Sequence, residues 1–265
     1  MSRKLQVLFQ KAKREKRALF LPYFCVGFPS YKASLEAASA ALRAGASAME
    51  LGVPFSDPIA DGPTLQKATF HALTHHTHVK DVFRLVRDLR KKGFGQPLLV
   101  MTYLNVIEQM GWKKFAQELS GAGGDGAIVP DLPLEQFAGP RKEMAQKGLG
   151  LVPFVAPTSS PERVKKADAQ GAPFLYYVSL TGVTGARTAL SKGLLPALGA
   201  LRKRLKTPLV VGFGISTPAQ AAQVAQKADG VIIASALVQL MARTKISHIG
   251  KTVETFCRQV VKALH

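Results

Sequence analysis

The stretch VKDVFRLVRDLRKKGFGQPLLVM, residues 79–101, contains both kinds of element from which the fold is built. Apolar residues recur at helical spacing in its first part: Val82, Phe83, Leu85, Val86 and Leu89. This spacing predicts a helix over residues 79–92 that ends at Gly93. The last part, residues 98–101, is apolar at every position, which is typical of a strand buried on both faces of a parallel sheet.

The same pair of elements recurs along the chain. Seven other apolar runs predict strands: residues 21–26, 48–51, 127–129, 151–155, 174–178, 209–212 and 231–233. Amphipathic segments that predict helices lie between them: residues 34–44, 112–120, 134–146, 160–169, 194–205 and 218–227. Eight strands that alternate with helices in roughly 250 residues favour a closed (β/α)8 TIM barrel over an open, doubly wound sheet.

No linker and no change in composition divides the chain. We therefore predict an α/β fold with a single TIM-barrel domain over residues 1–265. Residues 1–18 are predicted to form an extra N-terminal helix, and residues 19–265 the barrel. With 47% hydrophobic residues, the chain can bury a core of this size.

Several classes of protein are excluded by composition. No stretch approaches the roughly 18 uninterrupted apolar residues of a membrane span. The N-terminus is basic but lacks the apolar core of a secretion signal. Cys25 and Cys257 lie far apart in the chain, which favours two reduced thiols over a disulfide framework. We therefore expect a cytoplasmic protein.

The net charge of +19, from 36 Lys and Arg against 17 Asp and Glu, raises the question of nucleic-acid binding. The basic groups are spread over several segments: residues 11–17, 87–92, 113–114, 165–166 and 202–206. No aromatic residues alternate with them as a stacking surface for bases would require. The distribution favours a solvated basic surface over a nucleic-acid site.

In a TIM barrel the site lies where the strands end and the following loops begin. Glu50 interrupts the second predicted strand, and a buried carboxylate must be paired, protonated or functional. No basic residue lies within or next to the predicted strands, which favours function over an ion pair. Asp57 and Asp61 lie on the next loop, where the residues alone predict solvated turn positions.

The loops after the sixth, seventh and eighth strands combine glycine with small polar residues. They are Thr181-Gly182-Val183-Thr184-Gly185-Ala186, Gly212-Phe213-Gly214-Ile215-Ser216 and Ala234-Ser235-Ala236. Bare backbone amides at such positions suit a phosphate group, which TIM barrels often bind there. Three of the six histidines, His75, His76 and His78, lie close together in the sequence. No acid or cysteine is spaced to complete a metal site with them, so we predict no metal site.

The segment Glu50-Leu51-Gly52-Val53-Pro54-Phe55-Ser56-Asp57-Pro58, continuing through Asp61-Gly62-Pro63 to Gln66, resembles the signature of tryptophan synthase alpha chains. The similarity continues in order with Met101-Thr102-Tyr103-Leu104-Asn105, Val129-Pro130-Asp131-Leu132-Pro133, Gly182-Val183-Thr184-Gly185 and Gly212-Phe213-Gly214-Ile215. The family is a (β/α)8 barrel. The resemblance implies retro-aldol cleavage of indole-3-glycerol phosphate to indole and D-glyceraldehyde 3-phosphate.

The resemblance also implies three catalytic residues. Glu50 matches the glutamate that protonates the indole ring carbon and helps remove the proton of the glycerol hydroxyl. Asp61 matches the aspartate that interacts with the indole N–H, and Tyr176 a tyrosine near the glutamate. We expect burial to raise the pKa of Glu50. Asp61 lies on a loop, and we expect hydration of that loop to leave Asp61 charged.

The remaining site residues implied by the resemblance bind the substrate: Tyr23, Met101, Thr184, Gly185, Phe213, Gly214, Ala234 and Ser235. Tyr23 and Met101 would line the indole pocket, whereas Gly185, Gly214 and Ser235 would hold the phosphate. Leu180, Ile233 and Ala234 depart from the family pattern. We expect these departures to affect substrate affinity and coupling rather than the fold.

The resemblance implies a partner, a tryptophan synthase beta chain in an alpha-beta-beta-alpha heterotetramer. No cofactor is assigned to this chain, and pyridoxal phosphate is expected in the beta chain. Residues 53–63 and the segment around Asn105 would face that partner. Two alternatives share the fold: a free-standing indole-3-glycerol-phosphate lyase, and a non-catalytic activator of a beta chain.

Overall fold

The computed structural model describes residues 2–178, 190, 193–212 and 214–264. Within them it contains nine strands: β1 (Leu19–Cys25), β2 (Met49–Gly52), β3 (Leu98–Met101), β4 (Gly126–Ile128), β5 (Gly150–Val152), β6 (Phe154–Val155), β7 (Leu175–Val178), β8 (Leu209–Gly212) and β9 (Gly230–Ile233). Neighbouring strands pair in parallel, in the order β5-β4-β3-β2-β1-β9-β8-β7-β6. The predicted TIM barrel is confirmed.

The barrel closes through the chain itself, because only Pro153 separates β5 from β6 at the two ends of the sheet. We predicted one continuous strand over residues 151–155, and this was wrong at Pro153. Proline has no N–H to donate to a neighbouring strand. Its carbonyl still accepts a hydrogen bond from the Tyr176 N–H at 3.0 Å, which begins the pairing with β7.

Twelve α-helices are present in the described residues: α1 (Arg3–Arg14), α2 (Tyr31–Arg43), α3 (Pro63–Thr74), α4 (Val79–Lys91), α5 (Leu104–Met110), α6 (Trp112–Ala122), α7 (Ala138–Gln146), α8 (Pro161–Asp168), α9 (Leu194–Arg202), α10 (Pro218–Ala225), α11 (Ser235–Arg243) and α12 (Ile249–Ala263). The helix predicted over residues 134–146 begins instead with a short 3-10 turn, Leu134–Gln136. Four of these helices, α3, α5, α11 and α12, were not predicted, and none has a side-chain cap at its N-terminus to mark its start.

Strand alternation divides the core into two layers. Leu19, Leu21 and Tyr23 of β1 belong to the cluster inside the barrel, whereas Phe20 and Phe24 belong to the cluster between strands and helices. Because successive side chains of a strand point to opposite faces, each strand serves both layers. This explains why the strand sequences are apolar without alternation.

Helix α1 covers the amino ends of the strands. Its buried residues Leu5, Phe9 and Ala12 join the inner cluster, and the rings of Phe9 and Phe174 are 5.6 Å apart. The predicted N-terminal helix is therefore present and closes the bottom of the barrel.

None of the described helices combines enough length and apolar character to cross a membrane.

Candidate active site

One cavity at the carboxyl ends of the strands collects every predicted site residue that the structure describes: Tyr23, Glu50, Asp61, Met101, Tyr176, Gly214, Ala234 and Ser235. It encloses about 630 Å³, including its open mouth. Tyr23 of β1 is in register with Glu50 of β2. Thr184, Gly185 and Phe213, as well as Leu180, lie outside the described residues.

Glu50 projects into the barrel because its neighbours Met49 and Leu51 face the outer core layer. It is only 3% exposed, and its Oε2 has no hydrogen-bond partner. Burial, and secondarily the charge of Asp61, raise the pKa of Glu50 to about 8. Among the described residues no cation forms an ion pair with Glu50. Its carboxyl group is therefore largely protonated at neutral pH and available for proton transfer.

Asp61 is buried rather than hydrated, with 9% of its surface exposed. Our expectation that a solvated loop would keep this carboxylate in its ordinary range was therefore wrong. Burial raises the pKa of Asp61 to about 7, against the opposing effect of a hydrogen bond from Tyr103. The pKa of Asp61 is thus about 7 and that of Glu50 about 8, and the charge of Asp61 contributes to the value of Glu50.

Tyr103 holds the loop that carries Asp61, and it was not among the predicted site residues. Its hydroxyl accepts a hydrogen bond from the Ala60 N–H at 3.2 Å and bonds to the Asp61 carboxylate. Its ring, 1% exposed, stacks on Phe55 of the same loop at 5.2 Å. The signal in the sequence was its place two residues after β3, within a motif shared with the resembled family.

Phe154 is a second residue that the sequence analysis missed. Its ring stacks on that of Tyr176 at 4.7 Å and 24°, and it lines the cavity. Ile128 and Ile232 complete the apolar wall. The apolar wall and the carboxyl groups of Glu50 and Asp61 therefore line the same cavity, as is typical of sites for small molecules.

The other end of the cavity is formed by the loop after β8 and the start of α11. Gly214 has a left-handed backbone, with φ of +78°, and Ser235 is the first residue of α11. Ala234 precedes α11 and makes no side-chain cap, so the helix presents its first N–H groups to the cavity. Such an N-terminus attracts an anionic group.

Ile233 does not line this cavity, contrary to our expectation that its bulk would affect substrate affinity. It is fully buried in the outer core layer, whereas Ile232 and Ala234 on either side face the cavity. The two-residue period of a strand explains this orientation. Of the two departures from the family pattern that the structure describes, Ala234 lines the cavity and Ile233 does not.

The histidine cluster lies on the surface between α3 and α4. His75, His76 and His78 are exposed, and the backbone N–H of His78 donates to Asp81 at 2.9 Å, at the start of α4. The described residues contain no group of three potential ligands that would hold a metal ion. The cluster therefore takes no part in the site.

Comparisons with known proteins agree with this arrangement. A family model for the tryptophan synthase alpha chain matches residues 9–265. The tryptophan synthase alpha chain of Chloroflexus aggregans is 43% identical over 255 residues, which are 96% of either chain. The solved alpha chain from Legionella pneumophila is 34% identical, with a TM-score of 0.87 over 100% of this chain and 97% of that one. Mycobacterium tuberculosis tryptophan synthase gives 32% identity and a TM-score of 0.89, covering 100% and 99%.

Proposed function

The chain belongs to the tryptophan synthase alpha chain family, and from this premise we propose that Glu50, Asp61 and Tyr176 form its catalytic centre. The reaction is the cleavage of indole-3-glycerol phosphate to indole and D-glyceraldehyde 3-phosphate, a carbon–carbon lyase step of tryptophan biosynthesis. The assignment rests mainly on the buried carboxyl group of Glu50, whose Oε2 has no hydrogen-bond partner and which lines the same cavity as Asp61.

Glu50 has both parts of a proton-transfer role. Protonated at neutral pH, it gives its proton to the indole ring carbon that bears the glycerol chain. The carboxylate that results takes the proton of the chain's hydroxyl as the carbon–carbon bond breaks and the aldehyde forms. The enzyme ends as it began, so a single group with a pKa of about 8 serves both transfers.

Asp61 accepts the indole N–H and stabilises the positive charge that develops on the ring after protonation. This role requires the carboxylate form, which the hydrogen bond from Tyr103 favours. A cationic ring nearby favours it further. Tyr176, next to Glu50 and stacked on Phe154, positions the substrate against the proton donor.

The apolar part of the cavity suits the indole ring. Tyr23 and Met101 are assigned to this pocket, and Phe154 adds a ring to its wall. Phe213, which lies outside the described residues, is assigned by the resemblance to pack against the substrate. The phosphate is assigned to Gly185, Gly214, Ala234 and Ser235. Thr184 is assigned to help order the closed active site. The start of α11 supports this assignment, because its free N–H groups favour a dianion.

We propose a beta chain as the partner, in an alpha-beta-beta-alpha heterotetramer whose pyridoxal phosphate belongs to that chain. The loop of residues 53–63 carries the exposed Ile59, 79% accessible, and Phe70 on α3 is 69% accessible. Asn105 is exposed on the same rim of the barrel. Two large apolar side chains in water beside a catalytic loop support a docking role.

Two further assignments belong to the same proposal. Residues 1–265 form one domain, supported by core clusters that extend from α1 to α12. The reaction takes place in the cytoplasm, the compartment that suits two unpaired, buried thiols.

The test is indole release from indole-3-glycerol phosphate, with and without the cognate beta chain. Slow release that rises sharply with the beta chain supports the proposal, and fast release without it identifies the free-standing lyase. No release in either condition, with binding to the beta chain intact, identifies a non-catalytic activator.

Three variants test the assignment of residues. Glu50→Gln should abolish release with little loss of folding, and Asp61→Asn should greatly slow it while substrate still binds. Glu118→Gln is the control, because it removes an exposed carboxylate on α6, outside both the cavity and the loop of residues 53–63. Release at the parent rate by the Glu50 or the Asp61 variant contradicts the corresponding role.

A further inference from the structure

A second cavity lies at the amino ends of the strands, on the face of the barrel opposite to Glu50. It is bordered by the end of α1 and by the residues just before β1, β7, β8 and β9, and it encloses about 1320 Å³, including its mouth. We call it the basal pocket. Nothing in the cleavage reaction uses this end of the barrel.

Positive charge dominates the basal pocket. Its lining includes five cationic side chains: Lys13, Lys16, Arg17, Arg202 and Lys206. Asp229 is the single carboxylate among the lining residues. Five cations against one carboxylate leave the lining with a net charge of +4, and a concavity lined by one sign of charge attracts anions more strongly than a flat surface does.

The two arginines are held in place by ion pairs. Arg202 Nε lies 2.6 Å from Asp229 Oδ2, and Arg17 Nε lies 2.6 Å from Glu15 Oε2. Asp229 Oδ2 also accepts a hydrogen bond from the Leu209 N–H at 2.7 Å. These contacts make the arginines part of a fixed wall.

The three lysines, in contrast, lie within ion-pair distance of no carboxylate in the part of the chain that the structure describes. The carboxylate of Asp168 accepts hydrogen bonds from the backbone N–H groups of Lys206 and Thr207, and forms no ion pair with the Lys206 side chain. Lys13 and Lys16 are exposed at the end of α1. Three ammonium groups at one mouth repel each other unless an anion lies between them.

The floor of the pocket is apolar. It consists of Phe9, Ala12, Ala172, Pro173, Ala225 and Ala228. A ligand that contacts both floor and mouth therefore needs an apolar body joined to an anionic group. A simple inorganic ion would leave the floor unused.

We propose that the basal pocket binds a nucleoside diphosphate. The diphosphate carries roughly one negative charge more than the −1.5 to −2 of a phosphate monoester, which matches three free ammonium groups. The nucleoside supplies a flat apolar body for the floor. Nucleic acid fits less well, because the cations surround a concavity instead of following a groove.

The test is isothermal titration calorimetry of the purified chain with ADP. Excess D-glyceraldehyde 3-phosphate is present to occupy the catalytic cavity at the carboxyl ends of the strands, called here the barrel-top site. One saturable site is expected, and adenosine without phosphate should not bind measurably. Lys13→Glu/Lys206→Glu should weaken ADP binding at least tenfold. Lys142→Glu/Lys251→Glu changes the net charge equally at exposed sites elsewhere and should weaken it less than twofold.

A variant without any change of charge separates the pocket from general attraction. Ala228→Leu narrows the floor and should weaken ADP binding several-fold, while indole release shows that the barrel-top site is intact. The proposal is overturned if ADP does not saturate a site, if D-glyceraldehyde 3-phosphate displaces it, or if the control pair weakens it equally. Tighter binding of a single-stranded oligonucleotide at the same lysines also overturns it.

Discussion

The phenol of Tyr176 lies over Gly212 of the neighbouring strand, in the space where a β-carbon on Gly212 would stand. Such a carbon would overlap the Tyr176 hydroxyl and its ring. Tyr23 has the same relationship to Gly52 at the opposite side of the cavity. In both strand pairs the glycine lies two residues beyond the partner of the tyrosine. The positions of both tyrosines therefore depend on bare backbone next to them.

Gly212→Ala should displace Tyr176 from Glu50 and lower kcat/KM for indole release. A shift of about 1 Å at a reacting group costs up to roughly 100-fold, so we expect a loss of about 10- to 100-fold. Gly199→Ala is the control, because its new methyl group would meet only Lys227 Cδ at 3.5 Å, an ordinary contact. Equal activity of both variants would contradict the dependence of Tyr176 on Gly212.

The pH dependence of kcat/KM should be bell-shaped. Asp61 must lose its proton, so activity rises as pH increases through about 7. Glu50 must hold its proton, so activity falls as pH increases through about 8. Because the two carboxyl groups interact, the limbs belong to the pair, and the maximum lies between them. Steady-state measurement of kcat/KM from about pH 5 to about pH 10, a range that covers both pKa values, tests this prediction.

Asp61→Asn tests the coupling in that profile. It removes the negative charge that helps to raise the pKa of Glu50, so the alkaline limb of the residual activity should move to lower pH. The acidic limb should disappear with the carboxyl group that causes it. An alkaline limb that stays in place would show that Asp61 does not act on Glu50.

Glu50→Gln should change how stability depends on pH. The folded-state pKa of Glu50 is raised to about 8 from an ordinary value of 4.5. Its contribution is therefore fully present below about pH 4.5 and is lost as pH rises to about 8. Relative to the parent, the variant should gain roughly 4 kcal/mol between pH 4.5 and pH 9, since each unit of the shift is equivalent to about 1.4 kcal/mol.

Urea unfolding of both proteins at the two pH values measures this gain. The comparison uses the change between pH values, so the fixed effect of burying an amide cancels. A constant difference between Glu50→Gln and the parent would mean that Glu50 titrates normally.

Tyr103→Phe removes the hydroxyl that bonds to Asp61 while the ring keeps its stacking on Phe55. Because that hydrogen bond lowers the pKa of Asp61, its loss should move the acidic limb of kcat/KM to higher pH. Tyr177→Phe is the control, a buried tyrosine that belongs to the outer core layer. An unchanged limb in the Tyr103 variant would exclude its role in positioning Asp61.

The position of Glu50 was predictable because it follows from a local rule. Met49 and Leu51 face the helices, so the residue between them must face the barrel interior. The same rule, applied to Ile233, would have placed it in the outer layer and removed it from the site. The break at Pro153 was also visible, since a proline within an apolar run argues against one continuous strand.

The burial of Asp61 was not predictable, because it depends on a contact between distant parts of the chain. Tyr103, at the end of β3, closes over the loop after β2 and takes Asp61 out of water. Nothing in residues 53–63 shows that their loop will fold inward. The basal pocket has a similar origin, since it exists only where α1 packs under the strands.

At Pro153 the chain stops pairing with β4 and begins to pair with β7, and this short pairing connects substrate binding to the closure of the barrel. After this residue the ladder that closes the ring rests on two registered pairs, Phe154 with Tyr176 and Val155 with Tyr177. Fluctuations that open the ring there would separate two walls of the catalytic cavity. A substrate bound between Phe154 and Tyr176 would contact both strands and so oppose their separation. Slower hydrogen exchange at the Tyr176 amide, whose N–H bonds to the Pro153 carbonyl across this pairing, would therefore accompany substrate binding.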